Sequence, residues 1–356
     1  MTDRPDQNAD PHEGVEPPAS PLPAGGATTG TTTGGPPEEP LAEAAGSAAP
    51  GQSATSLWRD VWQQFREHRG AVIGLTFLIF ITLFVIIGPW IWTVDPAKLD
   101  IRNKDVRPIY SWLWDREAKV LWSRPLGTDN LGRDILANLM QGGRVSMAVG
   151  WVAMLLALIL GTVVGVIAGY FRRLDGLLMR FTDLMLALPL LPLLLVMMLL
   201  FRDQLRSAFG PEQGIFILIV TAIGITSWMH TARIVRGDIL ALKEREYVLA
   251  ARSIGTPSRR MITRHLLPNV LSPIMVSATL GLATAIITES ALSFLGLGFP
   301  SDYPTWGKIL FDSVERMERF PERVIWPGLC ISFTVLAVNY IGDGLRDALD
   351  PRIRGR

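Results

Sequence analysis

Apolar residues gather in runs long enough to cross a hydrocarbon layer of roughly 30 Å. These runs lie at about Ala71–Trp92, Val145–Tyr170, Leu184–Phe201, Ile215–Trp228, Pro273–Leu295 and Val324–Ile341. The pattern predicts an all-α integral membrane protein with six transmembrane helices. Pro189 and Pro192 fall inside the third run, where lost N–H donors predict a kink or a broken helix. The fourth run is short unless it extends through Met229 toward Ile234. Trp90 and Trp92 close the first run, Tyr170 the second and Trp228 the fourth, as interfacial aromatics do.

Between the fourth and fifth runs the pattern changes to a polar insert with helical periodicity. From Asp238 to Ile254 there is no proline or interior glycine, and Ile239, Leu242, Val248, Leu249 and Ile254 form an apolar stripe, with Lys243, Glu244, Arg245 and Arg252 off it. An amphipathic helix over this stretch is expected. Gly255 follows it as a left-handed stop, with Thr256 as N-cap and Pro257 at the first position of a second helix. The second helix carries Arg259, Arg260 and Arg264 and is expected to end near Pro268. The product is a rigid, basic corner in water.

Composition changes the picture at the N-terminus. Residues 1–56 are rich in Pro, Gly, Ala, Thr and acidic groups, with Arg4 the only Lys or Arg before Arg59, and predict a disordered tail. This segment has neither the basic start nor the apolar core of a signal peptide. The whole chain is 49% hydrophobic and 19% charged, too apolar for a soluble domain of 356 residues. A net charge of +1 gives no nucleic-acid signature, and the single Cys330 excludes an internal disulfide framework.

Charge also orients the spans. Arg59, Arg66 and Arg69 precede the first, Arg172, Arg173 and Arg180 follow the second, and eight Lys or Arg from Arg233 to Arg264 crowd the connection after the fourth. Arg346, Arg352, Arg354 and Arg356 follow the sixth. The excess of positive charge on one side predicts that both termini and the Gly255 corner are cytoplasmic.

The insert resembles the coupling ("EAA") loop of ABC-importer permeases. Ala250, Ala251, Gly255, Leu267 and Pro268 match that pattern in type and spacing, whereas Leu249 stands where Glu is usual and His265 where Ile is frequent. Glu246 belongs to the same segment. In that family the loop seats on a cytoplasmic ATPase, and the Leu249 substitution bears on one polar contact there. A second string, Arg124-Pro-Leu-Gly-Thr-Asp-Asn-Leu-Gly-Arg-Asp134, resembles the signature of the C-type permease of dipeptide, oligopeptide and nickel importers. Gly169-Tyr170-Phe171, Leu292–Gly298, Trp306-Gly307 and Gly342–Arg352 match the same family, and the likeness runs from about Trp58 to the C-terminus. The segment Ile101–Leu121 looks longer than usual there.

This resemblance implies the type I importer permease fold (MetI-like) and a domain order of tail 1–56, N-terminal region 57–144 with the first span and an extracytoplasmic loop, permease domain 145–345 with coupling loop 238–268, and C-terminal tail 346–356. It implies location in the cytoplasmic membrane and four kinds of partner. These are a homologous second permease, two ATPase subunits or domains that bind the ATP, an extracytoplasmic substrate-binding protein, and lipid. Peptide is the implied cargo, with nickel complexes or other small solutes as the alternative.

Individual residues carry competing readings. Gly127, Thr128, Asp129, Gly132, Arg133 and Asp134 form the extracytoplasmic signature, in which Asp129 either caps the following helix or meets substrate. Glu289 and Asp183 are ionisable at membrane depth and either line a translocation path or make interhelical hydrogen bonds. Gly161, Gly165 and Gly169 favour close helix packing over a dimer motif. The chain has no phosphate-cradling Gly-x-x-x-x-Gly-Lys-Ser/Thr loop, no zinc-spaced Cys/His set among its four scattered histidines and no nucleophile–base constellation. A transport subunit without its own ATPase, catalytic group, metal or cofactor is therefore expected. An ion-coupled carrier would show repeated halves, which are absent.

Overall fold

The computed structural model describes residues 54–349 except 114, 118 and 301. The expected tail through residue 53, with Arg4 and His12, lies outside the described residues, as do Arg352, Arg354 and Arg356. Among the described residues the chain is helical, with two isolated β-bridges in the first long loop and no strand ladder.

Helix α1 (Ala54–Glu67) starts within the last three positions expected for the tail and is followed by α2 (Arg69–Ile91). The His68 side chain caps α2, its Nδ1 accepting from Ala71 N at 3.0 Å. A loop then leads to α3 (Ile135–Tyr170), which starts ten residues before the expected span at Val145. Next come α4 (Arg172–Ala187), α5 (Leu190–Phe209) and α6 (Pro211–Lys243). Short α7 (Glu246–Ser253) and α8 (Ser258–Arg260) form the polar insert. The chain is completed by α9 (Leu271–Phe294), α10 (Trp306–Val314) and α11 (Glu322–Leu349).

Five helical segments are long and apolar enough to cross a membrane: α2, α3, α6, the run Ser258–Phe294 and α11. α4 and α5 meet the same measure only together, as a pair bent by 87° at Leu188-Pro189, which makes a sixth span when the two are counted as one. The break expected from Pro189 is there, because the residue before a proline is pushed out of the helical region and Leu188 has ψ 134°. Arg202 and Arg206, just past the expected third run, lie within α5.

α3 and α6 make the most extensive pairing, α9 packs on α3, and α11 packs on α9 and α2. Gly161, Gly165 and Gly169 face α6, where a Cβ would fall within 2.6–2.7 Å of Trp228 O, Ala232 O and the Ile239 side chain respectively. Close approach within one chain therefore accounts for the glycine spacing. Trp228 is not interfacial as expected. It is buried midway along the 33-residue α6 and stacks on Phe181 at 6.2 Å, because that helix continues well past Trp228. Arg233 and Arg236, assigned to the loop by charge, are helical residues paired with α4.

Candidate functional site

The polar insert is a corner whose inner face is apolar. Val248 and Ala251 of α7 bury against Met261, Leu266 and Val270, and this cluster continues into Val166 of α3, Val235 and Ile239 of α6 and Ile274 of α9. The corner is thus seated on three membrane helices. Its outer face exposes Glu246, Tyr247, Leu249, Ala250, Arg252 and Gly255, and Ile254 is 83% exposed.

Gly255 makes the turn. It has φ +78°, a conformation L side chains rarely adopt, and Gly255 N–H donates to Arg252 O at 3.0 Å while Thr256 N–H donates to Ala251 O at 3.2 Å. These are the two bonds of a Schellman stop.

Three local expectations differ from the structure. The stretch Asp238–Ile254 is two helices broken at Glu244-Arg245, because α7 turns to bury Val248 and Ala251 rather than continuing the α6 axis. Lys243 holds the break, its Nζ donating to the Gly169 and Tyr170 carbonyls at 3.0 and 3.1 Å at the end of α3. At the second helix, Pro257 rather than Thr256 occupies the N-cap position, and helix starts at Ser258. Pro268 does not end it. A π-helical turn over Met261–Leu266 pairs Leu267 N–H with Ile262 O, and Pro268 falls in the first turn of a 3₁₀ segment Leu267–Val270, so the axis runs on into α9. The Asn269 side chain donates to His265 O at 2.6 Å, occupying a carbonyl at the proline step. His265 itself is half-buried and Leu267 packs against the inner cluster.

Beside the corner lies a cleft of about 940 Å³, bounded by Arg172, Arg173, Asp175, Lys243, Arg252 and Met261. Asp175 and Arg236 make a two-pronged ion pair, with Nη2 to Oδ2 at 2.7 Å, and Asp183 pairs with Arg233. Both pairs tie α4 to α6. Asp183 is thus an exposed interhelical partner. Glu289 is fully buried, accepting from Ser293 Oγ at 2.7 Å, and Ser146, Ser290 and Thr305 surround it. The two residues are not brought together.

The Arg124–Asp134 signature builds a closed loop at the other end of α3. Thr128 is buried, its Oγ1 donating to Asn103 O at 2.5 Å and accepting from Val106 N at 3.0 Å. Asp129 does not cap the helix. Its Oδ1 accepts from Leu131 N and Arg133 N at 2.8 Å each, closing a turn, and its Oδ2 pairs with Arg133 Nε at 2.6 Å. Asp134 is the cap, accepting from Ala137 N at 2.7 Å while Arg124 stands 3.0 Å from its buried Oδ2. Gly132 has φ +79°, and a Cβ there would lie 1.9 Å from Asp100 O. Gly127 also has positive φ. Beyond this turn, Asp105 joins the loop to α11 through Arg323 at 2.9 Å and to the turn between α10 and α11 through Arg316 at 3.3 Å. Asn103 holds the Asp100 carboxyl below the usual range by donating to it, and burial raises the Tyr110 phenol.

Trp306, noted only as part of a matching string, organises this end. It is fully buried, donates Nε1 to Leu139 O at 3.0 Å and packs with Ile81, Val85, Ile135 and Met147. A tryptophan bordered by Thr305 and Gly307 in a short amphipathic helix was its available signal. Among the described residues no group of three or more His, Cys, Asp or Glu is placed to hold a metal.

Comparison with known proteins gives one consistent answer. Residues 161–355 match the family described as binding-protein-dependent transport system inner membrane component, and residues 56–108 match the N-terminal TM domain of oligopeptide transport permease C. The oligopeptide transport system permease protein OppC of Bacillus subtilis is 36% identical, covering 89% of this chain and 97% of its own. The dipeptide transport system permease protein DppC of Alkalihalophilus pseudofirmus is 37% identical, covering 85% and 92%. The di/tripeptide transport system permease protein DppC of Pseudomonas aeruginosa is 37% identical, covering 83% and 92%. Among solved structures, a chain of the inward-facing MetNI methionine ABC transporter is 19% identical with a TM-score of 0.48, covering 60% of this chain and 96% of that one.

Proposed function

Since this chain belongs to the binding-protein-dependent inner-membrane transport family, we propose that it forms half of the translocation pathway of a peptide importer driven by ATPase subunits on separate chains. The observation that carries the coupling is the Gly255 corner. Its buried face is continuous with α3, α6 and α9, while its outer face offers Tyr247, Leu249 and Ile254 to a partner. An exposed apolar side chain on a basic, water-facing turn is what a docking partner would cover. Nucleotide-driven closure of the ATPases would push this corner, and because its second arm runs into α9 the push reaches the span directly. A homologous permease would complete the pathway, and a binding protein would deliver peptide at the face formed by the Arg124–Asp134 loop. Both termini and the corner would then lie in the cytoplasm.

The test replaces Ile254 with Glu, which touches no core residue. Wild-type protein should retain an ATPase through solubilisation and support uptake of a labelled dipeptide in a strain lacking its own copy of this chain. The variant should fold normally but lose both. Unchanged ATPase retention and uptake in Ile254→Glu would defeat the reading.

A further inference from the structure

Arg144 has no assigned role. It is exposed ten residues into α3, on a helix otherwise apolar enough to cross a membrane, and among the described residues its side chain makes no ion pair or hydrogen bond. An exposed guanidinium at the border of an apolar run, held by no neighbouring carboxylate within ion-pair distance, is free to take up an anionic group. Gln141, Arg144, Val145 and Ala148 follow one face of α3 at steps of three and four. With Glu212, Gln213, Phe216 and Ile217 of α6 they bound an open cleft of about 540 Å³, within the range of small-ligand sites. Phe299 completes its floor, which belongs to the core cluster that includes Val145, Phe216 and Tyr303. Glu212 supplies the opposite charge and receives the Tyr303 hydroxyl, whose ionisation that carboxylate disfavours.

The geometry points to this cleft as a subsite for a short zwitterionic peptide, with Arg144 taking the terminal carboxylate and Glu212 the terminal ammonium. This rests on the importer reading above. A cube of the cleft's volume is about 8 Å on edge, and a dipeptide in extended form separates its charged ends by roughly 7 Å. The guanidinium fork suits a carboxylate held by two parallel bonds. Gln141 and Gln213 provide amides for the peptide group between the ends. Phe216 and Phe299 line the cleft with apolar surface. Recognition by the ends alone lets different side chains pass the same place.

The experiment measures uptake of three labelled forms of dialanine, with free ends, with a C-terminal amide and with an N-terminal acetyl group, in cells carrying the full chain. In Arg144→Gln the ratio of free to amidated uptake should fall at least tenfold, and Arg144→Lys should restore part of it. In Glu212→Gln the ratio of free to acetylated uptake should fall instead. Because each ratio compares two substrates on one protein, reduced expression cancels. Ratios equal to wild type in both variants, or equal changes in both ratios for each, would overturn the subsite. Failure of the wild type to take up any of the three would instead overturn the peptide-importer reading on which it rests.

Discussion

At Gly255 the cost of a side chain can be separated from the cost of a clash. A Cβ there meets no atom within 4 Å, so substitution adds only the strain of positive φ, about 1–2 kcal/mol for a β-branched residue. Gly255→Val is therefore expected to leave the spans assembled while loosening the corner, uncoupling ATP hydrolysis from uptake. Gly255→Asn, which tolerates this conformation, should stay near wild type. Measuring ATP turned over per peptide imported in both variants checks this, and normal coupling in the valine variant would contradict it. Gly255 was readable in advance because glycine after the last periodic residue has few other uses. The helix cap at the far end was not. Asp129 and Asp134 are the same residue type five positions apart, and only the backbone path decides that one closes a turn and the other starts α3.

Among the helices, hydropathy found the spans because a long apolar run has few other solutions in this composition. It failed where packing overrides local pattern. Nothing at Glu244-Arg245 breaks a helix by propensity, yet burial of Val248 and Ala251 turns the chain there. Pro268 should have stopped a helix, yet a π turn lets it pass. The expected second span begins at Val145, and the earlier start of α3 places Arg144 on that helix. Packing also separates glycines that look alike. Gly165→Ala places a Cβ 2.6 Å from Ala232 O and is expected to force α3 from α6, lowering thermal stability in detergent. Gly176→Ala in α4 meets nothing and should be neutral or stabilise by about 0.5–1 kcal/mol. Equal melting shifts for the two variants would show that α3 and α6 are not in the close contact described.

For the molecule as a whole, the corner and the Arg124–Asp134 loop should lie on opposite sides of the membrane. In a Cys330→Ala background, cysteine at Ile254 should react with a membrane-impermeant maleimide only after the membrane is opened, and cysteine at Trp122, 82% exposed, should react from outside in intact cells. Reaction of both from one side would refute the orientation. Charge along the chain had indicated that orientation, although the residues that carried the count include Arg233 and Arg236, which serve as helix-pairing groups.

The length of α3 ties these ends together. Thirty-six residues make a rod of about 54 Å, far more than the hydrocarbon needs, and it is fastened at one tip by Asp134 with Arg124 and at the other by the ammonium of Lys243. A beam clamped at both tips cannot be tugged at one clamp in secret. Under the proposed orientation, a displacement that ATP turnover imposes at the Lys243 end of α3 is expected to reappear at its Asp134 end, without a relay of intermediate parts.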